Sequence, residues 1–289
     1  MTLVLNCMTQ DFVVQVSDRR LTFRDGSLAD DRANKVVVYC GHFIIGYTGL
    51  AELGDASGPG GSSGTDWWIA NELGNAPPQP QEGFEHLAAA ASLAVARLGV
   101  RGDTRMTSIG AIGWARQSRQ DDRLVPILIV ISNYEDARSR RRPTEDAFTI
   151  AAKPLPSDQP YYLSWLGQPP TPDEAKRINR LVRRAVPAGP NAVVGVLADG
   201  IRGVANRNRT VGRDLMATFM PKSAIEAGNS GLWVPLSGIP SKDAVSAVYL
   251  PDQAGSVIYS PNTVCGGLIT GGAEMWVGTT PPWWSAGST

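Results

Sequence analysis

Apolar and polar positions alternate in short bursts from the beginning of the chain. Apolar runs at 2–7 and 12–17 are separated by Met8-Thr9-Gln10-Asp11, the spacing of two strands joined by a tight hairpin. A second pair of runs, 35–39 and 42–47, meets at Cys40-Gly41. The period then changes. Residues 66–73 and the alanine-rich stretch 83–99 place apolar side chains at helical spacing, with Phe84, Leu87, Ala91 and Leu98 on one face. Pro77-Pro78-Gln79-Pro80 between them reads as a stiff connector. Four strand patterns follow, at 107–115, 125–132, 147–152 and 161–166. Thr171-Pro172-Asp173-Glu174 predicts a helix start: an N-cap, a proline in the first turn, and carboxylates facing the positive end of the dipole. It opens an amphipathic helix over 175–186, whose apolar face is Ile178, Leu181, Val182 and Ala185. A further helix is predicted over 191–204 despite Gly195 and Gly200, and 211–220 returns to strand.

Strands, two helices, strands, two helices and a strand, in that order, suit two stacked sheets with a helix layer on each outer face. The expected class is therefore α+β, a four-layer αββα sandwich, with residues 1–222 forming the sandwich domain. Residues 223–289 are rich in Gly, Pro and Ser but hold apolar runs at 244–250 and 256–259, Met275-Trp276-Val277 and Trp283-Trp284. They are expected to be a C-terminal extension that packs on the body or on a neighbouring subunit. The Gly/Ser-rich stretch 54–64 reads as a surface loop.

Composition narrows the function classes. Lys+Arg and Asp+Glu balance at 27 each, so the whole chain offers no attraction to nucleic acid or anionic lipid. Its basic run, Arg138-Ser139-Arg140-Arg141-Arg142, lies between strand patterns and reads as a solvated hairpin loop. Cys7, Cys40 and Cys265 sit at unrelated spacings, fitting neither a disulfide framework nor a zinc pattern. His42 and His86 lack ligand partners at useful spacing, so neither metal nor cofactor is expected. With no apolar run near membrane-spanning length and no signal-like start, a cytoplasmic location is expected.

The residue that changes this picture is Thr2. Removal of Met1 ahead of a small side chain exposes a threonine bearing a hydroxyl and a free α-amine. Such an amine titrates at about 7.7–8.0, so one residue holds both nucleophile and base. That chemistry needs a nearby cation to lower the two pKa values, a carboxylate to hold the cation, and a backbone N–H for the oxyanion. Asp18 follows the second strand pattern, Lys35 opens the third, and Gly49 lies just past the fourth. Cys7 alternates inward on the first strand and reads as a core residue.

In these stretches the chain resembles the proteasome β-subunit family of N-terminal-nucleophile hydrolases, including the bacterial chaperone-linked protease subunits. The matching segments are Thr2-Leu3-Val4-Leu5, Val16-Ser17-Asp18-Arg19-Arg20, Asn34-Lys35-Val36 and Tyr47-Thr48-Gly49-Leu50-Ala51. The resemblance implies the αββα sandwich, Thr2 as nucleophile, Asp18 and Lys35 as its charged supports, and Gly49 as the oxyanion-hole glycine. It also implies self-assembly, with a ring-type homo-oligomer expected and an ATPase or adaptor partner left open. The second half departs from the pattern. Where active members carry a serine after the strand matching 161–166, this chain reads Leu166-Gly167-Gln168-Pro169. Where they carry an aspartate and a serine, it reads Asn206-Arg207-Asn208-Arg209-Thr210.

Two functional expectations follow. One is a threonine hydrolase cleaving peptide or other amide bonds, including the variant in which the amide belongs to a small molecule. The other is a non-catalytic member of the same fold, acting as a scaffold or interaction subunit.

Overall fold

The computed structural model describes residues 2–23, 25–31, 33–53, 64–118, 121–228, 232–233, 244–252, 257–259, 261–271 and 274–276. The sequence readings at 54–63 and at Trp283-Trp284 lie outside the described residues. Six strands come first: β1 (Leu3–Thr9), β2 (Phe12–Asp18), β3 (Leu21–Thr22), β4 (Leu28–Asp30), β5 (Val36–Tyr39) and β6 (Phe43–Thr48). Helices α1 (Thr65–Asn75) and α2 (Pro80–Arg97) follow. Then come β7 (Ser108–Ser118), β8 (Asp121–Ser132), β9 (Thr149–Pro154) and β10 (Tyr161–Gly167). After α3 (Pro172–Ala185) and α4 (Pro190–Ala205), β11 (Leu215–Pro221) leads into the short α5 (Lys222–Glu226). The remaining strands are β12 (Leu232–Trp233), β13 (Val245–Leu250), β14 (Val257–Tyr259), β15 (Asn262–Cys265), β16 (Leu268–Thr270) and β17 (Glu274–Trp276).

Two large sheets carry the fold. One has strand order β10-β1-β2-β11-β13-β12, the other β16-β15-β5-β6-β7-β8-β9. The strand period of two sorts each strand's side chains between two apolar layers. On β1, Leu3, Leu5 and Cys7 face α3 and α4, where they meet Ile178, Val182, Leu197 and Ile201. The intervening Val4 and Met8 face the other sheet, against Val36, Val38, Ile44 and Ile112. On β5 the opposite parity holds: Val37 and Tyr39 meet Ile69, Leu73, Phe84 and Leu87 of α1 and α2. Three apolar layers separate four layers of structure, which is the αββα sandwich. Because β1, β2 and β11 of one sheet and β5 and β6 of the other are buried on both faces, they read as continuous apolar runs rather than alternating ones.

Local chemistry fixes the elements. The β1–β2 turn is held by Thr9 Oγ1, which accepts from Phe12 N at 2.9 Å and from Asp11 N at 3.2 Å. The pairing sets Val4 opposite Ser17 and Cys7 opposite Val14, and a one-residue slip would exchange the two layers. The predicted cap of α3 forms as a capping box: Thr171 Oγ1 accepts from Glu174 N at 3.3 Å while Glu174 Oε2 accepts from Thr171 N at 2.7 Å.

Three sequence expectations shift. Lys35 stands one residue before β5 rather than opening it, and β11 begins at Leu215 rather than Val211. In both places the backbone leaves the ladder to serve the cluster described below. The basic run is not merely solvated: Arg140 pairs with Asp136 at 2.6 Å, Arg141 Nη2 donates to Gly167 O at 2.7 Å, and Arg142 Nη2 donates to Ser132 O at 2.8 Å. Past Lys222 the chain supplies strands to both sheets, β13 antiparallel to β11 and β15 parallel to β5.

Candidate active site

Thr2, Asp18 and Lys35 meet at one end of the sandwich. The β1–β2 hairpin returns the chain so that Asp18, at the end of β2, lies beside the start of β1; its Oδ1 accepts from Leu3 N at 2.8 Å. Its Oδ2 accepts from Arg20 N at 3.1 Å and Gly212 N at 2.9 Å. Lys35 Nζ reaches the same oxygen at 3.5 Å, and both side chains are fully buried. The ammonium also donates to Thr2 Oγ1 at 2.6 Å and to the carbonyl oxygen of Arg20. All three protons of the Lys35 ammonium are thus used, one of them on the threonine hydroxyl. Burial pushes the Lys35 pKa below the ordinary lysine value, and Asp18 pulls it back up. A buried cation beside a carboxylate and a hydroxyl polarises the hydroxyl far more than a solvated lysine does.

The segment between β2 and β5 holds Lys35 from the outside. Arg20 pairs with Asp31 at 2.7 Å. Arg19 is buried over the ring of Tyr249 at 4.7 Å, and its Nε donates to Ala33 O at 3.3 Å. This arrangement ties the strand β13 of the C-terminal part to the first loop of the site.

Gly49 directly follows β6 and adopts φ +106°. A Cβ there would lie 2.1 Å from Met106 O and 2.7 Å from Thr107 Cα, so only glycine fits. Its neighbour Thr48 donates through Oγ1 to Thr2 O at 3.2 Å, which places the Gly49 turn beside the threonine. Lys35 bonds both Thr2 and Asp18, while Gly49 is adjacent to Thr48, whose hydroxyl bonds Thr2 O, and makes no bond of its own to the other three.

The second half of the chain enters the site through its backbone. Gln168 N donates to Thr2 O at 2.9 Å. Gly167 has φ +82°, and a Cβ there would fall 2.1 Å from Thr2 O. Asn208 does not present its carboxamide to the threonine; its Oδ1 accepts from Thr210 N at 3.0 Å and Thr210 Oγ1 at 2.8 Å. That turn delivers Gly212 to Asp18.

Two carboxylates carry no signal in the sequence, Glu135, which is buried, and Asp66, which is half-buried. Glu135 accepts from Gly167 N at 3.3 Å. Burial pushes its carboxyl up to about 7, while Ser108, Tyr134, the Gly167 amide and Arg141 pull it down. Asp66, in the first turn of α1, accepts from Asn34 Nδ2 at 3.2 Å and Asn262 Nδ2 at 3.0 Å, and burial pushes it up to about 6. Neither has a sequence signal: Glu135 is one acid of a polar loop, and Asp66 reads as an ordinary first-turn carboxylate.

Cys7 is buried, and desolvation pushes its thiol up to about 12, as befits a core residue. His86 pairs with Glu72 at 3.0 Å and His42 is half-buried. Among the described residues, no group of three or more His, Cys, Asp or Glu side chains is placed to hold a metal ion. No helix among them is long and apolar enough to cross a membrane.

No protein-family model matches the chain, and no curated protein matches it. Among solved structures it is similar to the Gly-1 mutant of Anbu from Hyphomicrobium sp. strain MC1, with 13% identity over 75% of this chain and 80% of that one, at a TM-score of 0.46. It is likewise similar to Anbu, an ancestral beta-subunit, from Yersinia bercovieri, with 12% identity over 76% of this chain and 81% of that one, at a TM-score of 0.45.

Proposed function

We propose that the chain is a threonine hydrolase of amide bonds, with Thr2 as nucleophile once Met1 is removed. The observation that carries this reading is the 2.6 Å contact from Lys35 Nζ to Thr2 Oγ1, with Lys35 held by Asp18 in a fully buried pair. A purely structural ion pair has no need to spend a proton on a threonine hydroxyl at the first strand's edge.

The steps follow from the groups present. The free α-amine of Thr2 takes the hydroxyl proton as Oγ1 attacks the substrate carbonyl. Lys35 offsets the charge growing on Oγ1, and Asp18 keeps Lys35 in place. The Gly49 N–H faces the oxyanion of the tetrahedral intermediate. Collapse passes the amine's proton to the leaving nitrogen, breaks the C–N bond and leaves an ester on Oγ1. Water, deprotonated by the same amine, then attacks that ester and releases the acid. The substrate is a peptide, with a small-molecule amide as the narrower variant, and the working form is a homo-oligomer, ring-type in this reading.

A second reading, a non-catalytic scaffold of the same fold, is favoured by one feature. Thr2 O is held by both Thr48 Oγ1 and Gln168 N, so the cluster also works as a lock between the two sheets. One experiment separates the readings. The protein is purified from its own host, weighed intact, and treated with a peptidyl epoxyketone, which needs a free amine and a hydroxyl on one residue. Loss of the methionine mass with one adduct on Thr2, abolished in Thr2→Ala, supports the hydrolase. Retained Met1 with no adduct overturns it and leaves the scaffold.

A further inference from the structure

The β5–β6 hairpin turns at Cys40 and Gly41, whose φ angles are +51° and +61°, and closes with a 3.0 Å bond from His42 N to Tyr39 O. Positive φ at both central positions defines the two-residue turn that ordinarily takes Asn, Asp or Gly first. Here a cysteine holds that position. Beside it, β15 runs parallel to β5, setting Thr263 against Val38 and Val264 against Tyr39. Cys40 N donates to Val264 O at 2.6 Å, and Cys265 is the residue that follows Val264, so the two cysteines lie on neighbouring segments just past the last paired residues, Tyr39 and Val264. The chain then turns back into β16 through Gly266 and Gly267, with φ +55° and +83°. Two tight turns thus lie side by side at one end of the seven-stranded sheet, each carrying a cysteine. Cys265 is exposed and Cys40 half-buried. Cys265 and the Gly266 amide both lie close enough to Cys40 to act on its thiol.

We propose that Cys40 and Cys265 form a reversible disulfide, a peroxide-responsive clasp that fixes the β15–β16 hairpin to the body. Adjacent strands lie about 4.8 Å apart, inside the roughly 4.4–6.8 Å Cα window that a disulfide requires. The order of steps follows from exposure. The Cys265 thiolate attacks one oxygen of hydrogen peroxide, the O–O bond breaks, and hydroxide leaves with a sulfenic acid formed on Cys265. Cys40 then attacks that sulfur, its thiol proton passing to the departing oxygen, so that the S–O bond breaks and water is released. Two thiols lose two electrons to one peroxide, and the products are one disulfide and two waters. Burial raises the Cys40 pKa and the Gly266 N–H lowers it, which suits Cys40 to the second, intramolecular attack. Tyr39, whose phenol burial also raises, is the other titratable group beside the pair. Cys7 is sealed in the core and stays reduced.

The test treats the full chain with hydrogen peroxide, caps free thiols with N-ethylmaleimide and maps peptides without reduction. The expected result is a Cys40–Cys265 linked pair, about 2 Da lighter than the two thiols and restored by dithiothreitol. Cys265→Ser, at an exposed position, should lose the linked pair, and Cys7→Ser should keep it. Backbone hydrogen exchange across 262–270 should slow on oxidation. Both cysteines capped after peroxide, a sulfinic acid on Cys265, or a Cys265–Cys265 link between two chains would each overturn the disulfide. A linked pair with unchanged exchange would overturn the clasp.

Discussion

The two walls of the candidate site are built from different materials. The wall from the first fifty residues is made of side chains: Lys35 bonds both Thr2 and Asp18 within 3.5 Å, and each of the three is legible from its type and position. The wall from the second half is made of backbone. Gln168 N binds Thr2 O, Gly212 N binds Asp18 Oδ2, and Gly167 lies against the same carbonyl. The serine and aspartate expected there are absent, yet the positions are not idle, because amide groups hold the threonine and its carboxylate in place. A backbone donor has no sequence signature. The missing side chains therefore remove charge from the second wall without removing its geometry.

The comparison breaks most severely at Lys35. Lys35→Met keeps the stem and deletes the cation, leaving the buried Asp18 carboxyl with only amide partners. Breaking a buried pair in this way costs about 3–5 kcal/mol, measurable as a lower denaturation midpoint with an unchanged slope. Epoxyketone labelling of Thr2 should vanish. Adding Asp18→Asn to Lys35→Met should recover part of the stability, because it removes the uncompensated charge, and none of the labelling. A single variant of near wild-type stability would mean that the first wall is not organised by its ion pair.

The next largest effect lies behind the second wall, at Glu135. Its folded-state carboxyl titrates at about 7, above the ordinary value of about 4.3, so the folded state holds the proton more tightly. The stability from this group is fully present below the ordinary value and is lost as pH rises through about 7. Glu135→Gln should flatten that loss and leave the variant more stable at pH 8 by up to ~3 kcal/mol. The check is a series of urea melts from pH 5 to 8. A parallel pH profile in the two proteins would show that Glu135 is ionised or solvated throughout, and that the second wall conceals no proton.

These two residues also show where the sequence is readable. The sandwich could be read because its inner strands are buried on both faces and its helices on one, so apolar runs and helical periodicity report layers directly. Lys35 and Asp18 could be read because an N-terminal threonine calls for a cation and a carboxylate beside it, and the matching segments supply one of each at the strand ends. Glu135 could not, since its burial comes from β10, Arg141 and Tyr134 folding over a loop whose local pattern is polar. The Cys40–Cys265 neighbourhood is hidden for the same reason: a parallel pairing between β5 and β15 joins residues far apart in the chain. Cysteine spacing carries no trace of it.

Gly167 tests whether the second wall positions Thr2 or only abuts it. Gly167→Ala forces a side chain into φ +82° and a Cβ to within 2.1 Å of Thr2 O, at a cost of about 2 kcal/mol. Gly195→Ala, on the open face of α4 with nothing within 4 Å, is the control and should be neutral or stabilising. If Gly167→Ala leaves Thr2 labelling at its usual rate after correction for unfolded protein, the carbonyl contact does not set the hydroxyl's position.

The smallest effect would sharpen the comparison rather than break it. Asn208→Asp keeps the acceptor for Thr210 N and Oγ1 while restoring a carboxylate to the turn that carries Gly212 to Asp18. The position is partly exposed, so the added charge is screened and worth at most ~1 kcal/mol, about fivefold in rate. Stability should move by less than about 0.5 kcal/mol. A negative charge on this side raises the basicity of the Thr2 α-amine, so the pH midpoint of Thr2 labelling should rise and the rate above that midpoint should increase. A faster rate would mean that the second wall lacks only charge. An unchanged rate and midpoint would mean that the backbone alone sets the amine, and that the absent aspartate is no obstacle to chemistry at Thr2.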